Sequence, residues 1–212
     1  MKAQGHPDLF ERSETTQARY NIAPSQTVLA VRMGPDKGER LIVPVRWGLI
    51  PFWADDPGIG DRMINARSES ITEKPAFRHA FKSRRCLIPA DGFYEWKKEK
   101  GGKQPYYIRM CDERLFVFAG LWDRWEKGDQ PIESCTILTT SPNELVQPIH
   151  DRMPVILAQA EHDMWLDPDY PDSEGLLSIL RPYPAEEMEA HPVSRRVNNP
   201  KNDDEGCVRS VV

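Results

Sequence analysis

The stretch CLIPADGFYEWKK, residues 86–98, combines two short strand-like runs with a turn between them. Residues 86–88 and 93–97 are apolar and aromatic, as is typical of β-strands, and the intervening PADG carries residues that favour tight turns. Turns divide this stretch and the strand-like segments around it, and most of the connections are of hairpin length, which favours antiparallel sheet.

One acid, Glu95, lies inside this aromatic stretch, between Tyr94 and Trp96. Because side chains alternate across a strand, Glu95 shares a face with Phe93 and Lys97, and the face of Tyr94 and Trp96 is predicted to be core. Two interpretations follow. Glu95 faces solvent as an ordinary polar residue, or it lines a groove and takes part in chemistry.

Further strand-like segments surround this stretch and are separated by turn-rich sequences. They are residues 28–33, 41–47, 106–110, 115–121 and 135–140, with a last edge strand in HPVSRRV, residues 191–197. A helix is predicted over residues 72–85, a helical turn over 141–146 and two short helices between 158 and 180. Strands outnumber helices, which predicts one α+β domain over residues 1–212. Its mainly antiparallel β-sheet is expected to curl into a barrel- or sandwich-like core with a few flanking helices.

The chain has 212 residues and four cysteines, with no CxxC or CxxH spacing that would indicate a zinc site. Its first residues, MKAQGHPDLFERS, lack the apolar run of a signal peptide, and the longest apolar run, residues 115–122, is too short to span a bilayer. We expect a reduced, cytoplasmic, monomeric protein that uses no metal and no cofactor and does not bind membranes.

The formal net charge of −5 is unevenly distributed along the chain. Residues 61–85 contain seven basic and three acidic residues, and residues 191–202 contain three basic residues and no acid. Residues 161–190, in contrast, contain nine acids and one Arg. A local basic region can bind nucleic acid even when the whole chain is acidic. The alternative is that these charges lie on ordinary solvated helix faces.

Asn65 in INARSES and His150 in QPIHDRMP are the other candidates for chemistry. Asn65 shares a predicted strand face with Arg67, whose guanidinium can bind phosphate oxygens; the alternative is that Asn65 serves a turn. His150 is bracketed by an apolar strand and an Asp–Arg pair, which suits a general acid with a fixed tautomer; the alternative is a His satisfied within a turn. No GxSxG, HExxH or Walker A motif is present, so any chemistry has to come from residues distant in sequence.

Seven blocks occur in a fixed order between residues 19 and 200: RYNIAPSQ, RWGLIPFW, INARSES, LIPADGFYEWKK, TILTTSPN, IHDRMPVIL and HPVSRRVNNP. This ordered set resembles the SOS response-associated peptidase (SRAP) family of abasic-site processing proteins. The resemblance implies an SRAP fold and a partner that is single-stranded DNA containing abasic sites, with nucleoid association after DNA damage. It also implies covalent chemistry. A cysteine at position two, exposed by removal of the initiator Met, would condense with the sugar aldehyde to a thiazolidine.

The resemblance further implies roles for individual residues. Asn65, Glu95 and His150 would form the active site, in which Glu95 manages protons at the α-amine, His150 protonates the sugar ring oxygen and Asn65 orients the reacting terminus. Trp47 and Trp53 would stack on bases, and Arg67 and Arg152 would hold phosphates. The implied DNA-binding residues are Asn21, Pro24, Trp47, Trp53, Arg67 and Arg152.

The start of the chain departs from the family pattern. The family begins Met-Cys-Gly-Arg, whereas this chain begins Met1-Lys2-Ala3-Gln4. We expect that the N-terminal segment is truncated or its start set too far downstream, and that the complete protein is an enzyme with peptidase-type processing of its own Met. The alternatives are a single-stranded DNA-binding module with an inactive site, and a hydrolase that uses Glu95 and His150 on another substrate.

Overall fold

Ten strands and three short α-helices make up the regular structure of this computed structural model, which describes residues 18–36 and 38–211. The strands are β1 (Thr27–Met33), β2 (Arg40–Trp47), β3 (Asn65–Arg67), β4 (Arg85–Ala90), β5 (Gly92–Glu99), β6 (Gly102–Met110), β7 (Phe116–Trp125), β8 (Ile132–Thr140), β9 (Met153–Pro154) and β10 (Met188–Pro192). The helices are α1 (Arg78–Ser83), α2 (His162–Leu166) and α3 (Ser173–Ser178).

Five strands close into a barrel in the order β2-β1-β4-β7-β8. β1 and β2 form a hairpin, and β4, β7 and β8 extend it through antiparallel pairs. The closing pair, β8 with β2, is parallel and sets Trp47 beside Cys135. Closure pairs strands that would otherwise be the edges of an open sheet. The predicted barrel of mainly antiparallel strands is confirmed, although the closing pair runs in the parallel direction.

Two short strands extend β8 beyond the barrel. β3 is parallel to β8 and places Arg67 opposite Thr139, whereas β9 is antiparallel and places Pro154 opposite the same Thr139. The INARSES motif and the IHDRMP motif therefore meet at one end of β8. This convergence, which joins segments about 85 residues apart in sequence, positions the candidate site.

A second sheet, in the order β10-β6-β5, packs against the barrel. Its strands are antiparallel, and β5 forms one edge with Glu95 opposite Tyr106. Ile108 and Met110 of β6 belong to the same buried cluster as Phe118 of the barrel strand β7. The burial of apolar surface between the two layers fixes β5, and with it Glu95, relative to the end of β8.

The helices differ from their predicted bounds at the positions where Pro and Asn compete with helix formation. The helix predicted over residues 72–85 begins only after Phe77, because Pro75 disfavours helical geometry before it and residues 68–77 form turns. Residues 141–146 form no regular helix, since the Asn143 side chain accepts a hydrogen bond from the Val146 N–H and makes a turn. The two helices expected between 158 and 180 are confirmed as α2 and α3.

The predicted last edge strand is shorter than its motif. β10 ends at Pro192, and Arg195–Asn198 then form a 3₁₀ turn capped by the Ser194 hydroxyl. Cys86, Cys135 and Cys207 are buried free thiols and Cys111 is an exposed one. In the parts of the chain that the structure describes, no helix has the length and apolar character needed to cross a membrane.

Candidate functional site

Glu95 is held in the cleft between the second sheet and the barrel. On its own face of β5, the Phe93 ring packs edge-on against Phe118 of the barrel at 5.9 Å. On the opposite face, Tyr94 and Trp96 pack with Tyr107 in a separate apolar cluster. Both faces of β5 are thus covered, so Glu95 lines a groove rather than a solvated surface. Its side chain is only 22% exposed.

His150 is the ionisable residue that faces Glu95. The two meet across the groove with 3.8 Å between His150 Nδ1 and Glu95 Oε1. Burial raises the pKa of the Glu95 carboxyl above its ordinary value, because desolvation disfavours the charged form, and the nearby His150 opposes part of that rise. A carboxyl with a raised pKa beside an imidazole can take up and release protons closer to neutral pH than an exposed Glu can.

The backbone after His150 contacts its imidazole ring and orients it. His150 Nδ1 lies 3.1 Å from the Arg152 nitrogen and 3.2 Å from the Arg152 carbonyl oxygen, so it accepts from the N–H or donates to the carbonyl according to the tautomer of the ring. Asp151 Oδ1 lies 3.4 Å from the same Nδ1, so the carboxyl groups of Glu95 and Asp151 both face this ring nitrogen. Backbone and carboxyl contacts thus fix the orientation of the His150 ring toward Glu95.

Arg152 is fixed by a bidentate ion pair. Its two terminal nitrogens donate to the carboxylate oxygens of Glu69 at 2.7 and 2.9 Å, and one of them also donates to the Thr139 carbonyl at 2.6 Å. This hydrogen bonding lowers the pKa of Glu69. The Nε of Arg152 is buried without a hydrogen-bond partner among the described residues. The guanidinium fork that the sequence assigned to a phosphate therefore holds a carboxylate of this chain.

Asn65 opens β3, and its side chain is exposed with no hydrogen bond to a described residue. The strand itself is anchored: the Trp47 indole N–H donates to the Ile64 carbonyl at 2.9 Å, and the Ile137 N–H donates to the same oxygen at 3.2 Å. Trp47 is partly buried against the barrel core, so its indole supports the chain immediately before Asn65.

Trp53 and its neighbour Phe52 have exposed aromatic side chains, 42% and 43% exposed. The loop that carries them is fastened to the barrel by hydrogen bonds to its backbone. The Phe52 N–H donates to Asp123 at 3.0 Å, and the Ala54 and Trp53 carbonyls accept from Trp125 and Lys127, each at 2.7 Å. The loop is thus a rigid platform that presents two aromatic rings to solvent.

The remaining predicted DNA-binding residues occupy different environments. Arg67 is exposed and makes no salt bridge with a described residue, and Pro24 is exposed in the turn before Ser25, whose φ is 70°. Asn21 is buried, and its amide donates to the carbonyls of Val197, Asn199 and Asn202 at 2.9–3.2 Å. Asn21 therefore shapes the C-terminal loop from beneath.

No group of three or more His, Cys, Asp or Glu within residues 18–36 and 38–211 is arranged to hold a metal ion. The polar groups of the groove are instead an acid, an imidazole, an exposed amide and several Arg side chains. This set can transfer protons and bind anions, and its chemistry needs an electrophile brought by a ligand.

Comparison with known proteins decides the family. The model of the SOS response associated peptidase (SRAP) family matches residues 2–200. The chain belongs to the SRAP family. Its relatives include the abasic site processing protein YoaM of Bacillus subtilis, 50% identical over 92% of this chain and 86% of YoaM. The abasic site processing protein HMCES of Xenopus tropicalis is 34% identical over 94% of this chain and 68% of HMCES.

Solved structures give the same fold for the SRAP chain. A protein of Bacteroides thetaiotaomicron superposes with a TM-score of 0.79 at 32% identity, covering 89% of this chain and 82% of that protein. A protein of Bordetella bronchiseptica superposes with a TM-score of 0.74 at 28% identity, covering 85% and 90%. The closed barrel with a flanking sheet is therefore a fold that these proteins share.

The sequence motifs contain most of the residues that line the groove, but they did not predict one ion pair. Glu95 and His150 are brought together, and Arg67 and Arg152 flank the same Thr139 of β8. The Glu69–Arg152 pair was not predicted, because its members are 83 residues apart. The available signal was the alternation of INARSES, which predicts Glu69 on the same face as Asn65 and Arg67, although β3 ends at Arg67 and Glu69 lies in the 3₁₀ turn that follows.

Proposed function

We propose that this SRAP protein binds single-stranded DNA and processes abasic sites in the groove between Glu95 and His150. The observation that carries the proposal is the buried Glu95 carboxyl, with its raised pKa, facing the His150 ring at 3.8 Å. The names of the relatives, abasic site processing proteins at 34–50% identity, supply the substrate. An abasic site provides the electrophile, since its ring-opened sugar is an aldehyde.

The proposed roles follow the proton chemistry of aldehyde capture. Ring opening needs an acid at the sugar oxygen, and the proposal gives this role to the His150 ring. An attacking α-amine, with an unperturbed pKa of about 7.7–8.0, must lose a proton to become nucleophilic. Glu95 accepts that proton, and exposed Asn65 orients the reacting groups. Each such proton transfer contributes about 10²–10⁴-fold in rate.

DNA binding is proposed to combine stacking with phosphate contacts. Bases stack on Trp53, whose rigid loop keeps the ordering cost low, and each stacked base contributes about 1–3 kcal/mol. Arg67 is free to contact a phosphate. Arg152 contacts one only if the phosphate replaces Glu69, while Trp47, Asn21 and Pro24 support the groove walls.

The covalent form of the reaction is proposed to need an N-terminal cysteine. A thiazolidine forms when the amine and the thiol of one residue close on the same aldehyde carbon, with loss of water. The internal residues Cys86, Cys111, Cys135 and Cys207 have peptide nitrogens, and position two of the sequence is Lys2. A second candidate function is a single-stranded DNA-binding module with an inactive site, for which the exposed Trp53 and Arg67 would be sufficient.

The decisive experiment compares two proteins on a denaturing gel after incubation with an abasic oligonucleotide. The 212-residue chain is expected to form no heat-stable crosslink, and a version that begins Met-Cys-Gly-Arg is expected to form one. In the second version, Glu95→Ala and His150→Ala should slow the reaction by about 10²-fold or more. A heat-stable band from the 212-residue chain would contradict the assigned nucleophile, and unaltered rates in both variants would contradict the assigned groove.

A further inference from the structure

Exposed cations lie along α1 and the turns that lead into it. Residues 61–85 contain seven bases, of which Arg84 is paired with Asp123 and Arg85 is buried against backbone carbonyls. The other bases are exposed, and none makes a salt bridge with a described residue. We define the α1 cationic face as these residues: Arg62, Arg67, Lys74, Arg78 and Lys82.

The acids of the same segment do not neutralise this face. Asp61 is engaged by Arg46 at 2.6 Å, and Glu69 is engaged by Arg152. Only Glu73 is exposed without an ion pair to a described residue. Many Arg residues elsewhere in the described chain are paired with carboxylates, as Arg109 is with Glu189 at 2.7 Å. The α1 cationic face is therefore a local excess of free positive charge on a protein whose net charge is −5.

An aromatic side chain lies on the same face. Phe52, 43% exposed, packs its ring 4.9 Å from the ring of His79 on α1. Arg78 and Lys82 are separated by one helical turn and so project side by side next to His79. Their neighbours Phe77 and Phe81 face the core. The outer surface of α1 therefore presents the cations Arg78 and Lys82, which have no ion pair with a described residue, beside the exposed Phe52 ring. Backbone hydrogen bonds to the barrel hold the loop that carries Phe52 in place.

We propose that the α1 cationic face is a second contact site for the DNA strand, outside the reactive groove, where Phe52 stacks on a base and Arg78 and Lys82 contact phosphates. Free cations beside an exposed, rigid aromatic ring match the chemistry of a single strand: a polyanion with unstacked bases. Arg67 connects the two sites, because it lies in β3 between Asn65 and the turns that lead to α1. This inference rests on the proposed function and extends it from the abasic nucleotide to the flanking strand.

The test compares two ligands that carry a non-reactive abasic analogue. One is a trinucleotide, which fills only the groove. The other is a single strand of about 20 nucleotides, longer than the sites of about 4–16 nucleotides that small single-strand-binding folds cover. Binding of both to the full chain is measured by fluorescence anisotropy over a series of salt concentrations.

The double variant Arg78→Gln/Lys82→Gln is expected to bind the long strand about tenfold more weakly. Its slope of log K against log salt should be smaller by about 1.4, since each phosphate contact to a single strand contributes about 0.7. The matched control is Lys98→Gln/Lys100→Gln, which removes the same charge from exposed residues at the β5–β6 turn. The salt slope of the control variant should equal that of the parent protein. The Phe52→Ala variant should bind the long strand more weakly and the trinucleotide as tightly as the parent does.

Each of the following outcomes would overturn the proposal. Equal losses in the α1 variant and the control would assign the effect to net charge, and an equal loss for the trinucleotide would assign Arg78 and Lys82 to the groove itself. An unaltered slope would show that α1 touches no phosphate. If the parent protein binds neither ligand, the proposed function fails and the inference fails with it; binding of the trinucleotide without any gain for the long strand overturns the inference alone.

Discussion

At the scale of single residues, the burial of Glu95 serves the proposed function but lowers the stability of the folded protein. Glu95 is buried beside His150, and its raised pKa shows that the folded protein disfavours the carboxylate that the chemistry needs. A solvent-exposed Glu on a strand would carry its charge without a desolvation cost. The position of Glu95 between Tyr94 and Trp96 therefore reflects a site that must be both apolar and ionisable.

This conflict predicts that Glu95→Gln stabilises the protein while it abolishes proton transfer. Because the folded-state pKa is raised above the unfolded value, the wild-type protein loses stability as pH rises from about 4.5 through the folded pKa. A neutral Gln does not titrate, so its advantage should be absent below pH 4 and full above the folded pKa. Thermal unfolding midpoints of both proteins across this pH range provide the measurement. A variant that is less stable than the wild type at pH 7 would contradict the desolvation argument.

Glu69 yields a second prediction at this scale. Its carboxylate holds the fork of Arg152, so under the proposed function a DNA phosphate would have to displace Glu69 from Arg152. Glu69→Gln should bind single-stranded DNA several-fold more tightly, with a salt slope larger by about 0.7 when Arg152 gains a phosphate. Glu73→Gln removes the same charge from an exposed residue without a salt bridge to a described residue and serves as the control. Equal gains in DNA affinity for both variants would mean that the change in net charge, and not the release of Arg152, causes the effect.

The residue scale also shows what motifs can predict. Glu95, His150 and Asn65 follow from short blocks whose residue types suit proton transfer. The Glu69 contact to Arg152 does not follow, since both residues can bind other partners and only the pairing of β3 and β9 with β8 brings them together. Similarly, nothing in RYNIAPSQ indicates that Asn21 is a buried support with its amide donors engaged.

At the scale of elements, one buried guanidinium joins two helices. Arg85, at the start of β4, donates to the carbonyls of Phe81 and Lys82 at the end of α1. It also donates to the carbonyls of Trp165 and Asp167 at the end of α2. Helix C-termini leave carbonyls without partners, and a cation is favourable there. Arg85 therefore adds to the backbone C-cap bonds of Arg84 and Asp167 by donating to further carbonyls at both helix ends.

The matching prediction is that Arg85→Met destabilises the protein by about 3 kcal/mol or more, because several buried carbonyls lose their donor at once. Arg78→Met is the control, since the same substitution on the exposed face of α1 should stay within about 0.5 kcal/mol. Urea unfolding of both variants measures the difference. A similar midpoint for the two would mean that water or another side chain satisfies these carbonyls.

Element bounds were predictable where hydrophobic pattern decides and unpredictable where side chains compete with the backbone. The strands at 28–33 and 41–47 follow from alternation, and the Phe77–Phe81 spacing correctly indicates the buried side of α1. The late start of α1 and the Asn143 turn depend on Pro75 and on a side-chain hydrogen bond. Such effects shift an element by several residues without changing its type.

At the scale of the whole molecule, the site exists only when the barrel is closed. Local pattern predicts antiparallel pairs, but closure requires the parallel β2–β8 pair, which joins residues almost 90 positions apart. The parallel β3–β8 pair then adds the Asn65 segment, and the second sheet adds Glu95. The groove is therefore a product of tertiary structure, and the seven sequence blocks represent its separate parts.

This dependence predicts that the ligand stabilises the whole domain. A single strand that touches the segments of Asn65, Glu95 and His150 together binds the folded state alone, so at a hundredfold excess over Kd it should add about 2.7 kcal/mol. For a domain of this size that corresponds to a rise of about 5–10 °C in Tm. Duplex DNA cannot offer unstacked bases to Trp53 and should raise Tm far less, and the rise should shrink with added salt. Arg67→Ala should reduce it equally for strands of every sequence. Thermal shift measurements with an abasic single strand, an intact single strand and a duplex test this, and equal shifts for single strand and duplex would contradict the groove as the binding site.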